Sequence, residues 1–287
     1  MTFTMTKQHT IGELINLSAG YLEGKGCSSP RLDAELLLGH VLGLDRLDLY
    51  LNFDKPLNSG EVEKYRSLIG RRGQRIPVAY LTGEKEFYKI PLRVNHHVLI
   101  PRPETEFVVE KVMELVDPER SCNVLELGTG SGAIAIALAC QDPDLRVTAV
   151  DISLEALQVA QENAKRLELD NQIDFVKSDL FSEISGTYSI ICSNPPYIRR
   201  EELQSLSPEV SSEPTRALDG GSDGLEFYRR ILNQAASFLE QPGFVVLEIG
   251  WDQASDVRSI GEAAGFAWIE TLQDYSGQDR VVVLKWN

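Results

Sequence analysis

Asn123-Val124-Leu125-Glu126-Leu127-Gly128-Thr129-Gly130-Ser131-Gly132 is the stretch on which the fold turns. An apolar strand runs into a glycine-rich turn, and a helical run, 133–140, follows at once. Glycine in such a turn supplies backbone freedom and lets a ligand approach the main chain closely. The spacing is G-x-G-x-G, whereas a dinucleotide-binding loop reads G-x-G-x-x-G. Glu126 adds a carboxylate beneath the loop. A carboxylate there repels a pyrophosphate and attracts a cationic ligand.

Outward from the loop, strand-like runs at 123–127, 145–150, 173–176, 188–193 and 244–248 alternate with helical runs at 133–140, 154–167, 225–239 and 253–264. A final strand pair is expected at 267–271 and 281–286. Alternating β and α implies an α/β, doubly wound parallel sheet with helices on both faces. Ligands then bind beyond the carboxyl ends of the strands, at the switch point. Asp151 closes the second strand, 23 residues after Gly128, where an acid accepts hydrogen bonds from a ribose diol. Asp179, Leu180 and Phe181 follow the third strand and suit an adenine, with apolar faces and a polar edge. A nucleoside carrying a positive sulfur in place of phosphates fits all three features. That ligand is S-adenosylmethionine.

The fourth strand ends in Asn194-Pro195-Pro196-Tyr197. In isolation this is a turn that stops a strand. At the end of strand four of a cofactor sheet, its groups suit one task. The Asn194 side-chain oxygen and the Pro195 carbonyl can accept hydrogen bonds from a planar NH₂ group. Two prolines lock the backbone, and Tyr197 offers a flat face for stacking. The expected substrate group is a conjugated –NH₂, either a carboxamide or the exocyclic amine of a base.

The N-terminal part differs. Thr10-Ile11-Gly12-Glu13 is a capping box, Ser29-Pro30 reads as an N-cap with proline at the first helical position, and Leu32, Leu36, Leu37, Val41 and Leu42 form an apolar face. A further helix is expected over 58–75. Residues 84–100 read as a β-hairpin, so the expected organisation is a helical substrate-recognition domain at 1–83, a hairpin linker at 84–100 and a catalytic domain at 101–287. Arg71, Arg72 and Arg75 look like an exposed basic group on the helical domain.

The chain has 287 residues, 43% of them hydrophobic and 25% charged, an ordinary globular composition. No apolar run approaches the ~20 residues of a membrane span, and the polar stretch 1–10 has no signal-peptide core. The expected compartment is the cytosol. Cys27, Cys122, Cys140 and Cys192 are too scattered for a disulfide framework or zinc site, and the last three read as buried thiols. The adjacent His96 and His97 read as loop residues and not as metal ligands. Net charge is −15; residues 1–90 carry 12 basic and 11 acidic groups, residues 91–287 carry 16 and 32. An acidic catalytic part repels a phosphate backbone, which argues against nucleic acid as substrate.

Taken with Pro77-Val78-Ala79-Tyr80-Leu81-Thr82-Gly83, Glu86-Phe87, residues 100–106 and Ala217-Leu218-Asp219-Gly220-Gly221, these motifs resemble the release factor glutamine methyltransferase family (PrmC/HemK type) over nearly the whole chain. The Asn-Pro-Pro-Tyr tetrapeptide alone is shared with adenine amino-methyltransferases and with ribosomal-protein glutamine methyltransferases. The resemblance implies a class I, Rossmann-like methyltransferase acting on the Gly-Gly-Gln glutamine of peptide chain release factors. It implies S-adenosylmethionine at Gly128, Thr129, Gly130, Ser131, Gly132, Asp151, Leu180 and Asn194. It further implies the glutamine side chain at Asn194 to Tyr197, and Arg102 to Thr105 closing over the methionine end of the cofactor.

Overall fold

A computed structural model describes residues 9–117, 119 and 121–287, so most of the polar start of the chain, residues 1–8, lies outside the described residues. The chain divides into two compact units. One comprises Met1–Gly83 with Ser207–Ser212, the other Glu84–Leu206 with Glu213–Asn287.

The first unit is helical: α1 (Ile11–Gly24), α2 (Pro30–Leu42), α3 (Arg46–Leu51), α4 (Ser59–Arg72) and α5 (Val78–Thr82), joined from far along the chain by the short helix Pro208–Ser211. The capping box forms: Glu13 N–H donates to Thr10 Oγ1 at 3.2 Å, and Thr10 N–H to Glu13 Oε2 at 3.3 Å. A second box at Asn58 and Glu61 opens α4. The core is Ile11, Ile15, Leu22, Ala34, Leu37, Leu38, Leu49 and Tyr65. Leu32 and Leu36, expected on the buried face of α2, are exposed; Ala34 and Leu38 take that place because α2 turns its other side to α1. Neither α3 nor α5 is legible as periodicity, each being under two turns.

The second unit opens with the hairpin of β1 (Glu84–Phe87) and β2 (Ile90–Arg93). Both turn residues, Tyr88 and Lys89, have positive φ, the geometry that matches strand twist in a two-residue hairpin loop. Phe87 and Leu92 sink into the core of this unit. After α6 (Glu106–Leu115), the chain builds β3 (Asn123–Leu127), α7 (Ala133–Gln141), β4 (Arg146–Asp151), α8 (Leu154–Arg166), β5 (Ile173–Lys177) and β6 (Tyr188–Ser193). Strand β7 (Leu239–Glu248) follows a helix, Glu226–Ala235; the chain closes with another helix, Ala254–Ala263, then β8 (Ala267–Gln273) and β9 (Asp279–Trp286). Sheet order is β5-β4-β3-β6-β7-β9-β8, parallel through β7, with β9 antiparallel to both neighbours.

Successive residues of β3 feed opposite faces. Val124 packs with α6 and α7, Leu125 and Leu127 with Tyr228, Ile231 and Val257 on the other side. Helix α7, Ala-Ile-Ala-Ile-Ala-Leu-Ala, is buried along almost its whole length, and its alanines allow close approach to the sheet. Cys140, in its last turn, is exposed and not buried as expected, because α7 emerges from the core there; Cys27, Cys122 and Cys192 are buried.

Candidate active site

The order places β3 beside both β4 and β6, so the connections leave in opposite directions between β3 and β6. At that point a cavity of about 340 Å³ opens beyond the strand ends, within the size range of small-molecule sites. Leu127 and Gly128 come from the end of β3, Asp151 from β4, Ser178–Leu180 from the turn after β5, and Ser193–Pro196 from β6.

Gly128, Gly130 and Gly132 all have positive φ, at 74°, 57° and 83°. A side chain at Gly128 or Gly130 would meet nothing within 4 Å, because those positions face the cavity; at Gly132 it would press on Ile136 and Ala160. Thr129, Ser131 and Gly132, expected at the ligand, do not reach the cavity wall. Thr129 turns inward and donates to Glu126 Oε2 at 2.7 Å, and the Ser131 carbonyl accepts from Asn163. Nor does Glu126 face a ligand. Its Oε2 also accepts the Ala135 N–H at 3.0 Å, at the start of α7, and burial pushes its carboxyl up to about 7. It is the strut under the loop.

Asp151 does face the cavity. Its Oδ2 accepts the Gly130 N–H and its Oδ1 the Ser153 N–H, both at 2.9 Å. Burial raises this carboxyl above its ordinary value while those two amides pull it down. Leu180 lines the cavity in a left-handed conformation, φ 53°, its carbonyl held by Ser178 Oγ at 2.7 Å. A leucine in this region of the backbone is strained, and here the strain turns its side chain to the cavity. Phe181, expected beside it, is instead stacked on Phe238 in the core, centroids 4.7 Å apart. Phe227 supplies the other apolar wall, and Asp179 is paired with Arg230 at 2.7 Å.

Asn194, Pro195 and Pro196 line the cavity; Tyr197 does not. Its ring packs against the core, burial raises its phenol, and its carbonyl accepts from Gln253 at 3.0 Å. Asn194 Nδ2 donates to Thr105 Oγ1 at 3.0 Å, and Thr105 Oγ1 donates to Glu248 Oε2 at 2.6 Å. Among the described residues no cluster of His, Cys, Asp and Glu has the arrangement of a metal site, and no helix is long and apolar enough to cross a membrane.

Comparison with known proteins adds the family. Residues 13–83 match the family model described as PrmC N-terminal domain, and residues 105–223 the one described as Methyltransferase small domain. A release factor glutamine methyltransferase of Geobacter sulfurreducens is 42% identical over 275 residues, covering 95% of both chains. The chain belongs to the release factor glutamine methyltransferase family. A Salmonella typhimurium member is 39% identical over 278 residues, covering 96% of this chain and 98% of its own. A methyltransferase of Pyrococcus furiosus, 19% identical, shares the fold with a TM-score of 0.52 over 68% of this chain and 88% of its own.

In this family member, several cavity residues carry no sequence signal. His97, Arg216 and Phe227 reach the wall from separate loops and a helix. Gln253 is buried and ties three segments: its Nε2 donates to the carbonyls of Tyr197 and Gly224, and its Oε1 accepts from Gly250 N–H. Glu248 was hidden inside an apolar strand. Arg102 pairs with Glu213 at 2.5 Å, and the same carboxylate accepts the Ile100 N–H at 2.9 Å. Thr105 points to Glu248 and Asn194, so the stretch expected over the methionine end of a cofactor splits into a half-buried anchor at Arg102 and a buried one at Thr105. The basic group of the helical unit is not a free surface either. Arg72 is buried against Asp33 and Glu209, both at 2.8 Å, and Arg75 binds Glu209 at 2.6 Å; only Arg71 is exposed.

Proposed function

We propose that the cavity holds S-adenosylmethionine, and that the chain methylates the side-chain amide nitrogen of the Gly-Gly-Gln glutamine in peptide chain release factors. The observation that carries this reading is the Asn194 amide at the cavity wall, Nδ2 anchored on Thr105, in a chain 42% identical to a release factor glutamine methyltransferase. The residues present fit the cofactor. Gly128 and Gly130 leave room where any side chain would project, Asp151 offers acceptors to a ribose diol, and Leu180 with Phe227 offers apolar faces to an adenine. The bound cofactor supplies an electrophilic methyl on a positive sulfur.

An amide nitrogen is a poor nucleophile because its lone pair is delocalised. With Nδ2 anchored, Asn194 presents Oδ1 as acceptor for one substrate N–H, and the Pro195 carbonyl accepts the other. Orientation of the nitrogen and fixed dipoles aimed at its growing positive charge supply the rate. Such acceptors stabilise the transition state more than the ground state. Pro195 and Pro196 hold the acceptors rigid. Tyr197 holds the turn from behind, its ring packed against the core and its carbonyl accepting from Gln253. Recognition of the folded release factor is assigned to the helical unit, where Leu17, Tyr21, Leu47 and Leu51 are exposed apolar side chains. The reaction belongs in the cytosol, where release factors are made and used.

The test is mass spectrometry of purified release factor after incubation with enzyme and cofactor. One added methyl on the Gly-Gly-Gln glutamine is expected, lost in Asn194→Ala. Label in a ribosomal protein or nucleic acid, with none in the release factor, would overturn the reading.

A further inference from the structure

Asn194 is held by a buried chain of hydrogen bonds whose direction is set by one carboxyl group. Thr105 and Glu248 are 4% and 1% exposed. Thr105 stands at the N-terminus of α6, the position where a threonine hydroxyl ordinarily caps the helix, yet it makes no cap bond. Its single hydrogen goes to Glu248 Oε2, so its oxygen can only accept, and the Asn194 NH₂ is the donor it receives. Glu248 reaches this point because β7 pairs with β6 in register, Leu247 opposite Ser193. Its own carbonyl is fixed by Tyr228 Oη at 3.0 Å.

We infer that Glu248 and Thr105 are positioning residues that fix which face of the Asn194 amide meets the substrate. This rests on the function proposed above for Asn194. An ionised Glu248 accepts from Thr105, Thr105 accepts from Asn194 Nδ2, and Oδ1 is turned to the substrate amide. A protonated Glu248 donates to Thr105 instead, and the freed hydroxyl hydrogen goes to Asn194 Oδ1. The amide then turns over and presents NH₂ to a substrate NH₂, two donors face to face. No bond is made or broken in this step beyond the relocation of one proton to Glu248.

Burial raises the Glu248 carboxyl to about 7, Thr105 lowers it, Glu104 raises it, and Arg280 and Arg102 lower it. The Tyr197 and Tyr228 phenols nearby are themselves pushed up by burial and stay neutral. The relay therefore changes direction close to neutral pH.

The experiment uses the full chain with cofactor and a release factor. kcat should fall about tenfold per pH unit below the Glu248 transition, and this acid limb should vanish in Glu248→Gln. Thr105→Val should lose about ten- to a hundredfold in kcat with cofactor affinity unchanged, and Thr105→Ser should restore it. A second readout needs no turnover. In ¹⁵N-asparagine-labelled protein, the Asn194 side-chain signal, assigned by its loss in Asn194→Ala, should shift through the same transition and stay still in Glu248→Gln. Failure of the wild type to methylate the release factor defeats the proposed function and leaves the spectroscopic arm to decide the relay. An Asn194 signal indifferent to pH from about 5.5 to about 8.5 overturns the relay, as does full kcat in a folded Thr105→Val.

Discussion

Gly130→Ala and Gly132→Ala lie two residues apart and should fail in opposite ways. Both glycines sit in the left-handed region, φ 57° and 83°, so alanine at either costs about 1–2 kcal/mol of backbone strain. At Gly132 the new methyl would lie 3.0 Å from Ile136 Cδ1 and 3.1 Å from Ala160 Cβ. Both neighbours are fully buried and must give by a few tenths of an ångström, which adds about 1–3 kcal/mol of overpacking. At Gly130 the methyl meets nothing within 4 Å. In both variants part of the strain is offset by about 0.4–1 kcal/mol from a stiffer unfolded chain. The expected losses of stability are thus about 1–4 kcal/mol for Gly132→Ala and about 1 kcal/mol or less for Gly130→Ala. At roughly 2–4 °C per kcal/mol, this separates their melting temperatures clearly. Ligand affinity should rank the other way, because the Gly130 methyl projects into the cavity. Thermal melts without ligand and calorimetric titration with S-adenosylmethionine read the two quantities separately. Equal melting temperatures would refute the claim that α7 packs too closely at Gly132 for any side chain. Unimpaired titration of Gly130→Ala would refute the placement of the cofactor against the loop.

Three further outcomes are expected. Asp151→Ala should weaken S-adenosylmethionine binding by on the order of 1.5–3 kcal/mol, roughly ten- to a hundredfold; wild-type affinity by calorimetry would remove Asp151 from the site. Glu126 is raised from its ordinary 4.5 to about 7 by burial, so between those values the folded state holds more protons than the unfolded, and stability falls as pH rises through that window. Glu126→Gln keeps an acceptor for Thr129 and Ala135 and should flatten that fall by on the order of 3 kcal/mol; an identical pH dependence of stability in urea titrations of variant and wild type would contradict this. Arg72→Met leaves Asp33 without its buried partner and should lower the protection of α2 and α4 amides by about 3–5 kcal/mol; unchanged hydrogen exchange would show that the Arg72–Asp33–Glu209 cluster contributes little.

The sequence by itself determined the architecture of the catalytic unit and the location of its cavity. The reason is that these reside in short-range patterns. A glycine turn between a strand and a helix, acids at strand ends, a proline-locked turn after β6 and reciprocal capping boxes are each complete within about ten residues, and backbone sterics and hydrogen bonding dictate their geometry locally. What the tertiary structure alone decided is which of those residues face the ligand and which support them. Thr129 and Ser131 share the loop with Gly128 and Gly130, and Glu126 lies near the end of the strand beneath it, yet all three turn inward because β3 is buried on both faces and α7 needs a partner for its first amides. Phe181 and Leu180 are neighbours, and a single left-handed residue sends one to the core and the other to the cavity. Arg72 finds Glu209 and Asn194 finds Thr105 and Glu248 only when segments far apart in the chain meet; Thr105 and Glu248 are 143 residues apart. Burial then gives those partners their energetic weight, since a charge removed from water must be matched by whatever the fold brings beside it, and no spacing rule along the chain specifies that match.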